Sequence, residues 1–278
     1  MNFFETEKPI GVFDSGIGGL TVVKRLLSTL PNENIVYFGD TARVPYGSKS
    51  NETVIEYSLQ DAQFLINKNV KLIVVACNTA SSVAIPALKE KFSVPIVEMI
   101  GVGSDAAKKA TVSGKIGVIG TRATINNKAY STAIHKTNPA LEVYEAACPL
   151  FVPLAEEGWI DHSATRLIAR EYLAEVKEHG VDTLVLGCTH YPILAGTIQA
   201  EMGEGVKLID SGVAAADQVR KELDRLAIGA RSAVPGNVDF YVSDLPQKFS
   251  EIAELFLGRK INNVHRVDPE VLQNILNQ

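Results

Sequence analysis

Two hydrophobic patterns alternate along this chain. Short continuous apolar runs read as strands buried on both faces, and stretches with an apolar residue every three or four positions read as helices packed on one side. The runs are Pro9 to Asp14, Ile35 to Phe38, Val70 to Ala76, Pro95 to Val97, Lys115 to Gly120, Leu141 to Glu145, Val181 to Gly187, Val206 to Asp210, Asp239 to Ser243 and Val264 to Val267. Helices are expected over Thr21 to Leu30, Ser81 to Phe92, Ser163 to His179, onward from Ile193, Ser211 to Leu226 and Pro246 to Leu257. Another is expected after Asn51, which can cap it, with Glu52 in its first turn and Ile55, Leu59, Ala62 and Ile66 on one face. Cys148 to Pro153 reads as irregular and Ile228 to Asn237 as a linker. Strands alternating with helices predict an α/β fold with mainly parallel sheets.

One run has an echo. Val70 to Ala80 and Val181 to Tyr191 each pass from an apolar strand to a small residue, a cysteine (Cys77, Cys188) and a polar pair. Lys115 to Thr124 similarly repeats Ile10 to Gly19, but without the carboxylate, so the halves read as duplicated βα modules. In parallel sheets, ligands bind beyond the carboxyl ends of the strands. Two thiols delivered there by matching modules imply a two-sided site. One sulfur as thiolate can remove a proton while the other as thiol returns one, which is what inversion of a carbon stereocentre demands.

A thiol with a pKa of about 8.5 needs a helper to act as a base at neutral pH. His190 lies two residues past Cys188, and Asp14, at another strand end, is a candidate for Cys77. Asn78, Thr79 and Thr189 offer polar contacts to a carboxylate, and Ser15 with the Gly16 to Gly19 turn offers backbone donors. The connection from Gly39 to Ser50, with Tyr46 and Gly47 in it, is long enough to be functional. Plainer readings stand beside these. A strand-end cysteine is often simply buried, Asp14 could form a turn, and the glycine segment could be only a tight turn. A nucleotide loop is disfavoured, because Thr21 replaces the third glycine of GxGxxG and no GK[ST] follows. Cys148 has no mate and reads as an inert buried thiol; His135, His162, His179 and His265 read as surface residues. Glu157, beside Glu156, could be a solvated loop charge.

Composition narrows the class. The chain has 278 residues, 46% apolar and 21% charged, with a net charge of −5. That is globular, and it argues against nucleic acid as a partner. No run approaches the roughly 20 apolar residues of a membrane span, and the polar start, Met1 to Lys8, is no signal peptide. The three cysteines lack disulfide or zinc spacing, which fits a reducing cytoplasm.

Gly11 to Leu20, Pro45-Tyr46-Gly47, Ala76 to Ala80 and Leu186 to Pro192 together carry a resemblance. The sequence resembles the glutamate racemases of the aspartate/glutamate racemase family. The resemblance implies two facing α/β domains related by a pseudo-twofold axis: 1–98 with 210–278, and 99–209. It implies interconversion of L- and D-glutamate for peptidoglycan, with no pyridoxal phosphate and no metal. Cys77 and Cys188 would be the acid/base pair, assisted by Asp14 and His190, with Glu157 a further acid on the Cys188 side. Asp14, Ser15, Tyr46, Gly47, Asn78, Thr79, Thr189 and His190 would hold the amino acid. Family members are often homodimers. The rivals are an aspartate or hydantoin racemase, a hydrolase using Cys188 with His190 alone, and a protein that only clamps an anion between its domains.

Overall fold

The computed structural model describes residues 3–261 and 264–277. Met1 and Asn2, at the head of the polar opening segment, lie outside them. The strands are β1 (Ile10–Asp14), β2 (Ile35–Gly39), β3 (Leu72–Val75), β4 (Ile96–Glu98), β5 (Lys115–Gly120), β6 (Glu142–Ala147), β7 (Thr183–Gly187), β8 (Lys207–Asp210), β9 (Val238–Val242) and β10 (Val264–Arg266). They form a six-stranded sheet ordered β10-β9-β2-β1-β3-β4 and a four-stranded sheet ordered β6-β5-β7-β8. Every pairing between them is parallel. The α/β reading therefore holds, and each apolar run lies where a strand was expected.

Each sheet contains the same four-strand order. Numbered within its own module, the order is second, first, third, fourth: β2-β1-β3-β4 and β6-β5-β7-β8. The direction of winding reverses between β1 and β3, and between β5 and β7. Those are the switch points at which parallel sheets open a crevice beyond the strand ends. Asp14 ends β1 and Cys77 follows β3; Gly120 ends β5 and Cys188 follows β7.

Alternation along the buried strands sorts side chains between cores. Ile10 and Val12 of β1, with Leu184 and Leu186 of β7, join one continuous apolar cluster that runs from sheet to sheet. Phe13 and Val75 face a second cluster behind the first sheet, and Val118 and Val185 face a third behind the other. The chain crosses between the sheets twice, and each crossing is built alike. Glu98 ends β4 and accepts from the amides of Ile100 (2.6 Å) and Gly101 (2.8 Å), capping the helix Met99–Ala110. Asp210 ends β8 and accepts from Gly212 N (2.8 Å), capping the helix Ser211–Leu226. A carboxylate there satisfies orphan amides and complements the helix dipole.

Three local expectations are corrected. Ser50, not Asn51, caps the helix Asn51–Asn67, its Oγ accepting from Thr53 N at 3.3 Å. The helix expected from Ser81 begins earlier, as Asn78–Val83 with Cys77 as its cap, and breaks at Ala84 before a second helix, Ile85–Lys91. Pro86 in that second helix's first turn accounts for the break, because it cannot donate back into a continuous helix. The stretch Cys148 to Pro153, read as irregular, runs into a helix, Phe151–Glu156, with Pro153 tolerated in its first turn. Among the described residues no helix is long and apolar enough to cross a membrane.

Candidate active site

The carboxyl ends of β1, β3, β5 and β7 converge on a cleft of about 210 Å³ between the sheets. Its lining includes Ser15, Tyr46, Gly47, Cys77, Asn78, Thr79, Cys188, Thr189 and His190 from the expected set, and also Thr121, Arg122 and Glu156. Both cysteines are free and nearly buried.

Cys77 caps a helix. Its Sγ accepts from Ala80 N at 3.4 Å and lies 3.7 Å from Ser15 Oγ. Burial first, and then the nearby charge of Asp14, push this thiol up to about 12, against the pull of the Ala80 amide and Ser15. Asp14 is fully buried, and burial raises its carboxyl above the usual range, partly offset by His190. Its hydrogen bonds come from Gly16 N (3.0 Å) and Thr189 Oγ1 (3.4 Å). Asp14 thus reaches toward the Cys188 side as well as acting on Cys77 through space. The Gly16 amide, expected as a donor to a ligand, is used internally.

Cys188 has a different neighbourhood. Its Sγ lies 3.8 Å from His190 Nδ1, and His190 Nε2 lies 3.0 Å from Glu156 Oε1. Burial disfavours the imidazolium, but the bonds to Cys188 and Glu156 outweigh it and raise His190 to about 10. Glu156 is 39% exposed in its side chain, so this arm ends at solvent. Glu157, the acid expected here, is exposed and does not line the cleft. One step along the chain separates the expectation from the acid that meets His190.

The glycine turn joins the two halves. A methyl group at Gly18 would lie 2.2 Å from Thr189 Oγ1 and 2.5 Å from His190 Nδ1, so only glycine allows that approach. Thr21 Oγ1 adds a bond to Thr189 O at 2.9 Å. Across the mouth, Thr79 Oγ1 and Thr121 Oγ1 are 2.9 Å apart, with Thr124 Oγ1 at 3.3 Å from Thr79. Tyr130 donates to Asn78 Oδ1 at 2.7 Å and fixes that amide. Asn78 Nδ2 is then buried with no hydrogen-bond partner. A buried donor at the edge of a cleft is costly until an acceptor fills it.

Sequence reasoning missed Thr121, Thr124, Tyr130 and Glu156. Thr121 had a signal: it follows Gly120 at the end of β5 as Ser15 follows Asp14 at the end of β1. The remaining histidines, His135, His162, His179 and His265, are exposed as expected. Cys148 is buried in the apolar core and lies outside the cleft lining; its Sγ is 3.8 Å from Ala146 O and its carbonyl accepts from Tyr191 Oη at 2.8 Å. Among the described residues no group of three or more His, Cys, Asp or Glu could hold a metal ion.

The chain is similar to known proteins over nearly its whole length. The glutamate racemase of Geobacter metallireducens is 51% identical over 263 residues, covering 95% of this chain and 97% of that protein. The crystal structure of Francisella tularensis glutamate racemase, in complex with D-glutamate, superposes with a TM-score of 0.89 at 42% identity, over 95% of this chain and 98% of that one. A Bacillus anthracis glutamate racemase isoform superposes with a TM-score of 0.92 at 38% identity, with the same coverage. The Asp/Glu/Hydantoin racemase family model matches residues 10–219. With two thiol-bearing strand ends facing one small cleft and likeness of this extent, the chain belongs to the Asp/Glu/hydantoin racemase family.

Proposed function

We propose that this enzyme interconverts L- and D-glutamate by two-thiol proton transfer at the α-carbon, supplying D-glutamate for peptidoglycan. The substrate rests on relatives about half identical over nearly the whole chain that carry that activity. The mechanism rests on one observation: Cys77 and Cys188 enter the same cleft from corresponding positions on two modules of identical strand order.

The chemistry balances within the protein. One sulfur, as thiolate, takes the α-proton and becomes a thiol. The other, as thiol, gives its proton to the opposite face of the planar carbanion and becomes a thiolate. The product is the enantiomer, and the sulfurs have exchanged roles. On the Cys188 side, His190 can take or return the proton, with Glu156 holding the imidazolium. On the Cys77 side, the Ala80 amide and Ser15 are the stabilising contacts to sulfur, and Asp14 is the nearby acid. The unpartnered Asn78 Nδ2 fits an acceptor oxygen of a substrate carboxylate. Ser15, Thr79, Tyr46, Gly47, Thr189 and His190, which line the cleft, are the remaining substrate contacts; Asp14, also expected to hold the amino acid, is fully buried and outside that lining, so it acts from behind.

The domain division at 98/99 and 209/210, a cytoplasmic location and a homodimer belong to the same reading. The two acid-capped crossings support the first, and three free cysteines support the second. The experiment is incubation with L-glutamate in deuterated water, with reductant and no added cofactor, followed by circular dichroism and the α-deuterium content. Decay of the signal to zero with deuterium in the product is expected. Turnover of aspartate but not glutamate would move the substrate, and no turnover of either would overturn the reading.

A further inference from the structure

Behind the cleft lies a buried polar cluster that the chemistry does not use. The connection 40–50 carries Tyr46 and Gly47 to the cleft wall and ends against the other half. A methyl group at Gly47 would lie 2.8 Å from Thr121 Cβ, and Asn51 Nδ2 donates to Asn127 Oδ1 at 3.0 Å. This strap therefore helps to set how the two halves meet. It is held from behind by Asp61, on the helix Asn51–Asn67, and by its own Asp40 and Arg43.

Counting hydrogens shows how. Asp40 and Asp61 are both fully buried. Arg43 Nε donates to Asp40 Oδ2 at 2.6 Å, and one terminal amino group donates to Asp61 Oδ1 at 2.9 Å. Its other amino group meets Gln60 Oε1, and its plane lies 4.1 Å from the Tyr57 ring centre. Ser243 Oγ donates to Asp40 Oδ1 at 2.9 Å. That leaves Tyr46, whose hydroxyl oxygen lies within hydrogen-bond distance of Asp40 Oδ2 and 2.9 Å from Asp61 Oδ2. A phenol has one proton and can donate to only one of two carboxylates. The second contact needs a proton on an acid. Asp40 Oδ2 already accepts from Arg43 and lies beside the phenol, whereas Asp61 Oδ2 has Tyr46 alone.

We propose that Asp61 is a positioning residue that works as a neutral acid, donating to Tyr46, which donates to Asp40, and that this relay holds the strap closed on the substrate. The proposal rests on the glutamate reading of the cleft. Arg43 and Asp40 then form the one ion pair of the cluster, and no second buried carboxylate is left uncompensated. The charged or titratable groups facing Asp61 are Asp40, Arg43 and Tyr46 on the strap and Asp14 at the end of β1. Burial first, then Asp40, push Asp61 well above the carboxylate range, consistent with the proton count.

Three variants and a pH series test it in the intact enzyme. Asp61→Asn keeps a donor toward Tyr46 and an acceptor for Arg43, so KM for glutamate and kcat should stay within about twofold of wild type. Asp61→Ala loses both and should raise KM about tenfold, with kcat changed much less. Tyr46→Phe breaks the relay at its middle and should raise KM similarly. In wild type KM should rise as pH climbs through the ionisation of Asp61; in Asp61→Asn that component of the pH dependence should be absent. Infrared spectra of the resting enzyme should contain a protonated-carboxyl carbonyl band that Asp61→Asn removes, a readout that survives even if Asp61→Ala fails to fold. If Asp61→Asn raises KM as much as Asp61→Ala, or leaves the infrared band in place, Asp61 is ionised and the relay is wrong. If wild type racemises no glutamate, the reading of the cleft fails instead, and the infrared result still decides the proton.

Discussion

The two sides of the cleft share a strand order but not a proton-handling design. Cys77 is held by a helix-end amide and a serine hydroxyl, beside an acid wholly cut off from water. Cys188 is coupled to an imidazole whose far nitrogen meets a half-exposed carboxylate. The repeated strand order places two sulfurs symmetrically, and the residues around each give it a separate way to stabilise its charge. A reversible reaction between mirror-image molecules tolerates this, because each direction uses both faces in turn. The asymmetry sets which step is slower, not where equilibrium lies.

The strongest break in the comparison is removal of either sulfur. Cys77→Ser and Cys188→Ser should each lower racemisation by about 10³-fold, measured by polarimetry or circular dichroism. Each variant should still exchange the α-proton of one enantiomer with deuterated water, and the two variants should select opposite enantiomers. Equal exchange of both enantiomers by either variant would mean that the sulfurs do not own separate faces.

His190→Ala should cost about 10²-fold in kcat/KM. The loss must be the same from L- and from D-glutamate, because the enantiomers have equal free energy and the ratio of the two constants is fixed. Gly18→Ala acts on the joint between the sides. Its methyl group would overlap Thr189 and His190 and should cost about 2 kcal/mol of unfolding free energy, read by denaturant titration, with activity falling as the halves separate. The smallest effect sharpens the Cys188 arm alone. Glu156→Gln should lower the rate a few-fold and shift the alkaline limb of the pH–rate profile downward. His190 is held near 10 partly by Glu156, so losing that partner lets the imidazolium deprotonate earlier. The same pairing makes a stability statement. A raised histidine stabilises fully below its ordinary value of 6.5 and loses that contribution as pH climbs through about 10. Glu157→Gln should change neither profile, since that side chain is exposed.

The parts of this site legible in the sequence are those written locally. Cys77 and Cys188 follow buried strands within two residues, so the strand pattern alone fixes where the sulfurs emerge. The choice between Glu156 and Glu157 was not local. Both acids fall at the end of a helix preceded by Pro149 and carrying Pro153 in its first turn, which hid the helix, and only its phase against His190 decides which one faces inward. Asp61 was hidden differently. It lies on the buried side of a helix with Val54, Ser58 and Leu65, and nothing nearby in sequence announces Arg43 or Tyr46 as its partners. Its role is written in the packing of one helix against a strap whose partner residues lie 15–21 positions earlier along the chain. The fold itself was more legible, because parallel strands buried on both faces leave a continuous apolar signature and helices leave a periodic one.

The strand order of the larger sheet has a consequence for how the molecule is made. β9 pairs with β2, Ile35 opposite Val238, and β10 lies beyond it. The smaller sheet, by contrast, draws on one unbroken segment, Lys115 to Asp210. On a ribosome, all four strands of the smaller sheet are available while β2 still waits with an open edge for a partner about two hundred residues downstream. An unpaired parallel edge is a site for adhesion to other chains. The nascent chain therefore carries this open edge from release of β2 until release of β9, and its Cys188 half can assemble before its Cys77 half can close.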